Sequence, residues 1–275
     1  IESHTVCNMK CSYCSPIYYG GLKPNYNLKK IVRELGQSKT SGDFQVSWGG
    51  GEPVLTEQFE ETFVELNEKL KPKINMIYSN STKYSLAIEK YLTTGKAILT
   101  TSIDAGTIET FKKIRGIKGM NKVFENLERY YLAAKNGIII KYILTEENSS
   151  NHEINSFIKL LEKHKLFDCS FQISTSYKDE SLDDKLSSSA INLYLNLLKR
   201  NVDAVFFDYH LKPRLKNKLR EAIANNRNIQ HLGFKSINKY DQQKKLNIIV
   251  WGAGETAKQV IGRSPFFEGS KVKIA

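Results

Sequence analysis

The stretch FQVSWGGGEPVLTEQFEETFVELNEKLKPKINMIY, residues 44–78, reads as one strand–loop–helix–strand unit. Phe44 to Trp48 is a short β-branched and aromatic run that passes into three glycines, Gly49 to Gly51, and then Glu52-Pro53. After an expected N-cap at Thr56, Phe59, Phe63, Leu66 and Leu70 keep the i, i+4, i+7, i+11 spacing of a helix, and Ile74 to Tyr78 forms the next strand.

The same alternation extends in both directions. Further strand-like runs are Ile1 to Val6, Ile98 to Ile103, Ile138 to Leu144, Cys169 to Ser174 and Ala204 to Asp208. Helical spacing recurs in Val123, Phe124, Leu127 and Tyr131, which Gly137 is expected to end. It recurs again in Ile154, Phe157, Ile158 and Leu161 after Asn151, and in Ile191, Leu195 and Leu198. Strands alternating with helices predict βα units around a parallel sheet, an α/β fold, and this many units predict a full or partial barrel. In parallel barrels the reacting groups sit on the loops after the C-terminal strand ends. Four such loops have unusual content: Cys7 to Cys14, Gly49 to Pro53, Ser79-Asn80-Ser81, and Ser102-Ile103-Asp104. They describe one site.

A chain of 275 residues suggests one large domain or about two smaller ones. Hydrophobic residues make up 40% and charged residues 25%, enough to bury a core, which excludes a disordered chain. No apolar run approaches the length of a membrane span and no signal-peptide pattern is present, so a cytoplasmic location is expected. Ile1 opens the sequence within a strand-like run, so the sequence is expected to be a fragment. The net charge of +12 divides unevenly: +2 over residues 1–211, +8 over Lys212 to Lys245, and +2 over the remainder. Basicity therefore concerns one segment and bears on partners, not on the fold.

Three of the four cysteines form the pattern Cys7-Asn-Met-Lys-Cys11-Ser-Tyr-Cys14. Three readings compete. Structural zinc wants four ligands, and the nearest candidate for a fourth is His4 on the expected first strand. A redox dithiol would use Cys11 and Cys14 and leave Cys7 unexplained. A four-iron cluster held by three thiolates leaves one iron open to a small molecule.

The CxxxCxxC loop with an aromatic before its last cysteine, the strand ending in Gly50-Gly51-Glu52-Pro53, Ser79-Asn80, and the stretch from Ser102-Ile103-Asp104-Ala105 through Lys113-Ile114-Arg115-Gly116 together resemble the radical S-adenosylmethionine superfamily. The resemblance covers residues 1 to about 175 and implies a partial (β/α)6 TIM-like barrel. It implies that Cys7, Cys11 and Cys14 hold a [4Fe-4S] cluster whose unique iron binds S-adenosyl-L-methionine. It further implies reductive cleavage to a 5′-deoxyadenosyl radical, and an electron donor such as flavodoxin or ferredoxin. By the same resemblance Gly50 and Gly51 offer main-chain atoms to the methionyl amino group, Glu52 and Pro53 shape the turn, Tyr13 lies beside the adenine, and Ser79 and Asn80 contact the nucleoside. Ser102 and Asp104 alternate along one strand and so would share the face at the barrel mouth. Arg115 would offer its fork to the methionyl carboxylate, and Lys141 and Asn148 could face cofactor or substrate.

The expected organisation is a barrel over 1–210, a basic helix and linker over 211–245, and the start of an incomplete Rossmann-like domain over 246–275. Leu211, Leu215, Leu219 and Ile223 recur every fourth residue beside Lys212, Lys216 and Arg220, a basic amphipathic helix. It reads first as an outer helix packed on the barrel and second as a docking surface for RNA, an acidic peptide or a nucleotide-linked sugar. Asn247 to Trp251 reads as a strand entering Gly252-Ala-Gly254-Glu-Thr-Ala257, a dinucleotide-type glycine loop. No cysteine follows Cys169, so one cluster is expected, and Cys169 reads as a buried small hydrophobe. The substrate is expected to be a sugar- or nucleotide-linked metabolite or a peptide. The alternatives are an RNA-modifying enzyme of the same superfamily and a non-enzymatic, metal-stabilised nucleic-acid-binding module.

Overall fold

The computed structural model describes residues 1–2, 6–14, 27–37, 43–56, 58–176, 183–209 and 211–224. The expected glycine loop at Gly252 to Ala257 and the rest of the C-terminal segment lie outside the described residues. The elements in chain order are α1 (Leu28–Gln37), β1 (Gln45–Trp48), α2 (Gln58–Leu70), β2 (Ile74–Tyr78), α3 (Leu86–Thr93), β3 (Ala97–Ser102) and α4 (Ile108–Arg115). There follow α5 (Met120–Ala134), β4 (Ile138–Leu144), α6 (Asn151–Lys163), β5 (Ser170–Thr175), α7 (Asp184–Leu198), β6 (Val205–Phe207) and α8 (Leu211–Ala224).

All six strands pair in parallel, in the order β1 to β6. The order never reverses, so every helical crossover steps in the same direction. This is the connectivity of a (β/α) barrel; a doubly wound sheet has a switch point. Among the described residues the sheet has six strands and two ends, a partial barrel.

The register separates the two faces. Trp48, Ile77, Leu99 and Ile138 align across four strands and are buried under the helices. Trp48 packs edge-on against Phe59 and Phe63 of α2 at ring separations of 5.6 and 5.2 Å. Its indole N–H donates to Asn75 Oδ1 at 3.0 Å, and Asn75 Nδ2 donates to Asn67 Oδ1 at 2.7 Å, so this buried polar pair on the covered face is hydrogen-bonded. The opposite face aligns Ser102, Lys141, Gln172 and Phe206, all partly exposed.

Several local expectations are corrected. Residues 3–5 of the first expected strand lie outside the described residues; Glu2 bridges to Gly49, with backbone bonds from Gly49 N to Ile1 O and from Glu52 N to Val6 O. Thr56 closes the 3-10 turn Pro53–Leu55 with its hydroxyl on the Pro53 carbonyl. Ser150, not Asn151, caps α6. Helix α5 ends at Lys135, which takes the left-handed cap conformation, and Gly137 instead starts the turn into β4. The basic amphipathic helix is α8. Asp208 starts it by accepting from Leu211 N at 2.8 Å, and Leu211, Leu215 and Leu219 are buried.

Candidate active site

The C-terminal ends of β1, β2 and β3 and the cysteine loop enclose a cavity of about 270 Å³. The loop contributes Cys7, Met9, Cys11, Tyr13 and Cys14; the turn after β1 contributes Gly50, Gly51 and Glu52; β2 and its loop contribute Tyr78, Ser79 and Asn80. Thr100, Ser102, Arg115 and Lys141 complete the lining. A larger, shallow depression of about 800 Å³ lies among charged residues of α1, α2 and α3 and contains none of these groups.

The cysteine loop is held from behind. Lys10 N and Ser12 N donate to the Arg115 and Ile114 carbonyls at 3.1 and 2.8 Å, satisfying the last turn of α4. Cys14 N donates to Cys11 O at 3.0 Å, so the loop turns sharply enough to bring all three thiols to the cavity. Met9 N donates to Cys7 Sγ at 3.4 Å and Asn80 Nδ2 approaches the same sulfur at 3.9 Å. Burial pushes the Cys7 thiol up and the Cys11 thiol to about 11, with Arg115 acting against both.

Glu52 is 2% exposed and organises the neighbouring loops. Its carboxylate accepts from Ser79 Oγ at 2.7 Å, Asn80 N at 2.5 Å and Val54 N at 3.4 Å. Burial raises its pKa, and these donors oppose the rise. The preceding Gly50 has φ +100°, a conformation that favours glycine and leaves bare backbone on the cavity wall. Asn80 reaches the other way, donating to Asn8 Oδ1 at 2.8 Å and accepting from Thr82 N at 3.0 Å.

Behind the cysteines lies a buried triad. Asp104 Oδ2 accepts from the Tyr13 hydroxyl at 2.5 Å and from Arg115 Nη1 at 3.0 Å, while Oδ1 accepts from Ile143 N at 2.6 Å. Arg115 Nη1 also donates to the Tyr13 hydroxyl. Burial alone would weaken the Arg115 charge, but Tyr13, Cys11 and Asp104 around it hold the guanidinium protonated. Its Nε is buried with no hydrogen-bond partner among the described residues, although the side chain lines the cavity. That orphaned donor fits a site made for an anionic group.

The expected site residues divide as follows. Cys7, Cys11, Tyr13, Cys14, Gly50, Gly51, Glu52, Ser79, Asn80, Ser102, Arg115 and Lys141 line one cavity. Pro53 is buried at the start of the 3-10 turn and does not line it. Asp104 does not share a strand face with Ser102: β3 ends at Ser102, and Asp104 has φ +61° and no exposure. Half of the expected Arg115 fork is already engaged by Asp104 and Tyr13. Asn148 is buried and braces the loop after β4, donating to the Asp104 and Ile143 carbonyls at 2.9 and 2.8 Å. Met9, Tyr78 and Thr100 line the cavity without having been expected. Thr100 lies two residues before Ser102 on the same face, so strand alternation marks it.

Among the described residues no three His, Cys, Asp or Glu side chains converge on one metal-ion position. A cluster takes each thiolate at a different iron, which three thiols lining one cavity can satisfy.

The family model of the Radical SAM superfamily matches residues 1–161. GTP 3′,8-cyclase of Klebsiella pneumoniae subsp. pneumoniae is 23% identical over 167 residues, covering 58% of this chain and 50% of that protein. The GTP 3′,8-cyclase of Aeromonas hydrophila subsp. hydrophila is 24% identical over 197 residues, covering 68% and 56%. The chain thus spans about half the length of the curated relatives it matches. Among solved structures, anSMEcpe with bound AdoMet and Cp18Cys peptide matches with a TM-score of 0.56 at 20% identity, covering 74% of this chain and 61% of that one. Streptococcus suis SuiB bound to precursor peptide SuiA matches with a TM-score of 0.60 at 17% identity, covering 78% and 50%. These two share the fold. The family match spans more than half of the chain and carries the cysteine loop, the Gly-Gly-Glu-Pro turn and the Ser102 to Arg115 segment, so the chain belongs to the radical SAM superfamily.

Proposed function

We propose that Cys7, Cys11 and Cys14 hold a [4Fe-4S] cluster, that S-adenosylmethionine binds beside it, and that the enzyme abstracts hydrogen from an organic substrate. When bound, these two groups supply one-electron reductive cleavage of a carbon–sulfur bond, the source of a 5′-deoxyadenosyl radical. The observation that carries this reading is the meeting of three cysteines, a bare glycine turn and an orphaned arginine donor on one cavity.

The chain's own groups have separable tasks. Three protein thiolates leave one coordination position for a small molecule. Gly50 and Gly51 present main-chain polar atoms without side chains, which suits close approach of the methionyl amino group. Arg115, fixed by Asp104 and Tyr13, offers its Nε edge to the carboxylate. Ser79, Asn80 and Ser102 supply neutral donors and acceptors at the strand ends for the nucleoside. Glu52 acts through Ser79 and Asn80, holding both in place. Lys141, whose pKa is lowered by burial against the pull of Asp104 and Asp208, faces the same cavity from β4 and suits an anionic part of cofactor or substrate.

For the substrate, a nucleotide-linked metabolite is favoured by the GTP 3′,8-cyclase relatives, and a peptide by the bound peptides of anSMEcpe and SuiB. The test of the core reading is anaerobic reconstitution with iron and sulfide, reduction, and assay for 5′-deoxyadenosine and methionine. Wild type should produce both, and the Cys7→Ala/Cys11→Ala/Cys14→Ala protein should not. Equal yields from the two proteins would refute the assignment. A rise in 5′-deoxyadenosine with added GTP or with a peptide pool decides between the substrate classes.

A further inference from the structure

Register sets Ser102 of β3, Lys141 of β4, Gln172 of β5 and Phe206 of β6 side by side on the inner face of the sheet: a hydroxyl, an ammonium, a carboxamide and an aromatic ring, in that order. All four are partly exposed, whereas the interior of a closed (β/α) barrel is filled by side chains. Ser102 and Lys141 line the cysteine cavity and Gln172 and Phe206 do not, so the row starts in that cavity and leads away from the cysteines. Two residues beyond Gln172 on the same face, the Ser174 hydroxyl is fully buried and has no hydrogen-bond partner among the described residues. A buried hydroxyl without a partner is a place for a ligand group to bond. Neighbouring strands lie about 4.8 Å apart, so Lys141 and Phe206 stand about 10 Å apart along the row.

We propose that Gln172 and Phe206 hold the base of a nucleotide substrate whose phosphate lies at Lys141. The proposal rests on the reading that the cysteine cavity is the cofactor site, and it names the substrate class for that site. A partly exposed ring offers a flat face for stacking, which every base accepts. A carboxamide presents a donor and an acceptor side by side, the pattern that pairs with the edge of a base. An ammonium takes phosphate oxygens. The order carries more than the inventory: cation, amide and ring follow one another as phosphate, base edge and base face do, and a mononucleotide spans the distance between the ends. A phenylalanyl or tyrosyl side chain would stack on Phe206 yet offer Gln172 no paired donor and acceptor on its ring edge, which makes a peptide the poorer match.

The probe is GTP, titrated calorimetrically into the Cys7→Ala/Cys11→Ala/Cys14→Ala protein, with guanosine and ribose 5-phosphate titrated in parallel because each carries one end of the nucleotide. Binding is thus read without a cluster, so a failure of the cofactor reading, seen as missing 5′-deoxyadenosine, is separate from a failure here. GTP should bind more tightly than either part. Phe206→Ala should weaken GTP and guanosine roughly tenfold and leave ribose 5-phosphate unchanged. Phe206→Trp, which keeps a ring, should restore most of that affinity, a recovery that a merely misfolded variant would not show. Lys141→Met should weaken GTP and ribose 5-phosphate and spare guanosine. Gln172→Leu should alter the ratio of GTP to ATP affinity, since an amide edge discriminates between bases and a ring face does not. The proposal is overturned if Phe206→Ala and Gln172→Leu bind GTP as their parent does, or if no nucleoside triphosphate binds either this protein or the reconstituted one. It is equally overturned if the two changes cost S-adenosylhomocysteine its affinity for the reconstituted protein and spare GTP, because the row would then seat the adenine of the cofactor.

Discussion

Asp104 has no exposure and uses both carboxylate oxygens, Oδ1 on Ile143 N and Oδ2 on Tyr13 and Arg115. Taking two charges out of water is costly, and removing one partner strands the other in the interior. Asp104→Ala should therefore lower unfolding stability by about 3–5 kcal/mol in urea titrations. Because the two groups share one interaction, Asp104→Ala/Arg115→Met should cost less than the sum of the single changes. A strictly additive double variant would mean that Arg115 finds another partner. At this scale the residues singled out by their spacing or by the family resemblance, the three cysteines, Gly50, Gly51, Ser79 and Asn80, all line the cavity. Asp104 was legible as a member of the site but not in its role. Alternation holds only while the backbone stays extended, and a positive φ two residues beyond a strand end leaves no periodic trace.

Helix α4 links the two halves of the site. At its N-terminus the buried Glu153 of α6 accepts from Gly106 N at 2.7 Å, Thr107 N at 3.2 Å, Thr107 Oγ1 at 2.7 Å and Thr110 Oγ1 at 2.9 Å. At its C-terminus the last carbonyls receive the cysteine loop. Glu153→Ala should cost about 2–3 kcal/mol in thermal or urea unfolding, since buried donors lose a charged acceptor and the helix loses an anion at its positive end. Gly106→Ala should be worse. A Cβ there would stand 2.1 Å from Glu153 O and 2.5 Å from Phe157 N, backbone atoms of α6 that cannot yield without moving the helix.

A second junction between elements is sensitive to pH. The Tyr131 hydroxyl on α5 donates to Asp168 at 2.5 Å, and that bond, with burial, pushes its pKa up to about 12. The folded state thus keeps a proton that the unfolded chain releases near pH 10. The bond's contribution is complete below pH 10 and is lost as pH climbs toward 12. Tyr131→Phe should be less stable by about 1 kcal/mol at pH 8 and should lose less stability than wild type between pH 10 and 12. Long helices with apolar stripes, α2, α5, α6 and α7, were legible because their buried residues recur over three or more turns. Helices α1 and α3 were not: α1 buries only Val32, and α3 has eight residues, too few to show a period.

At the scale of the molecule, the strand order follows the chain because each helix crosses in one direction, and that order was legible from simple alternation of strand and helix. What alternation could not give was how the described part of the first segment is held. Residues 1–2 and 6–14 join the rest through the Glu2–Gly49 bridge, a few backbone bonds, the Asn8 and Tyr13 side-chain contacts and the buried Met9, without a strand of their own among the described residues. A group binding all three cysteines would tie Cys7, Cys11 and Cys14 together and, through Tyr13 and Arg115, to α4. Anything that binds the folded chain and not the unfolded one raises its stability by mass action. The anaerobically reconstituted protein should therefore melt about 5 °C or more above the cluster-free protein, the shift expected for a gain of about 2–3 kcal/mol in a chain of this size. Cys11→Ala, treated identically, should show no gain, and chelation of iron from wild type should return it to the lower midpoint. If reconstituted and cluster-free proteins melt together, the cysteine loop is not held by a bound group, and the thiols serve the structure in some other way.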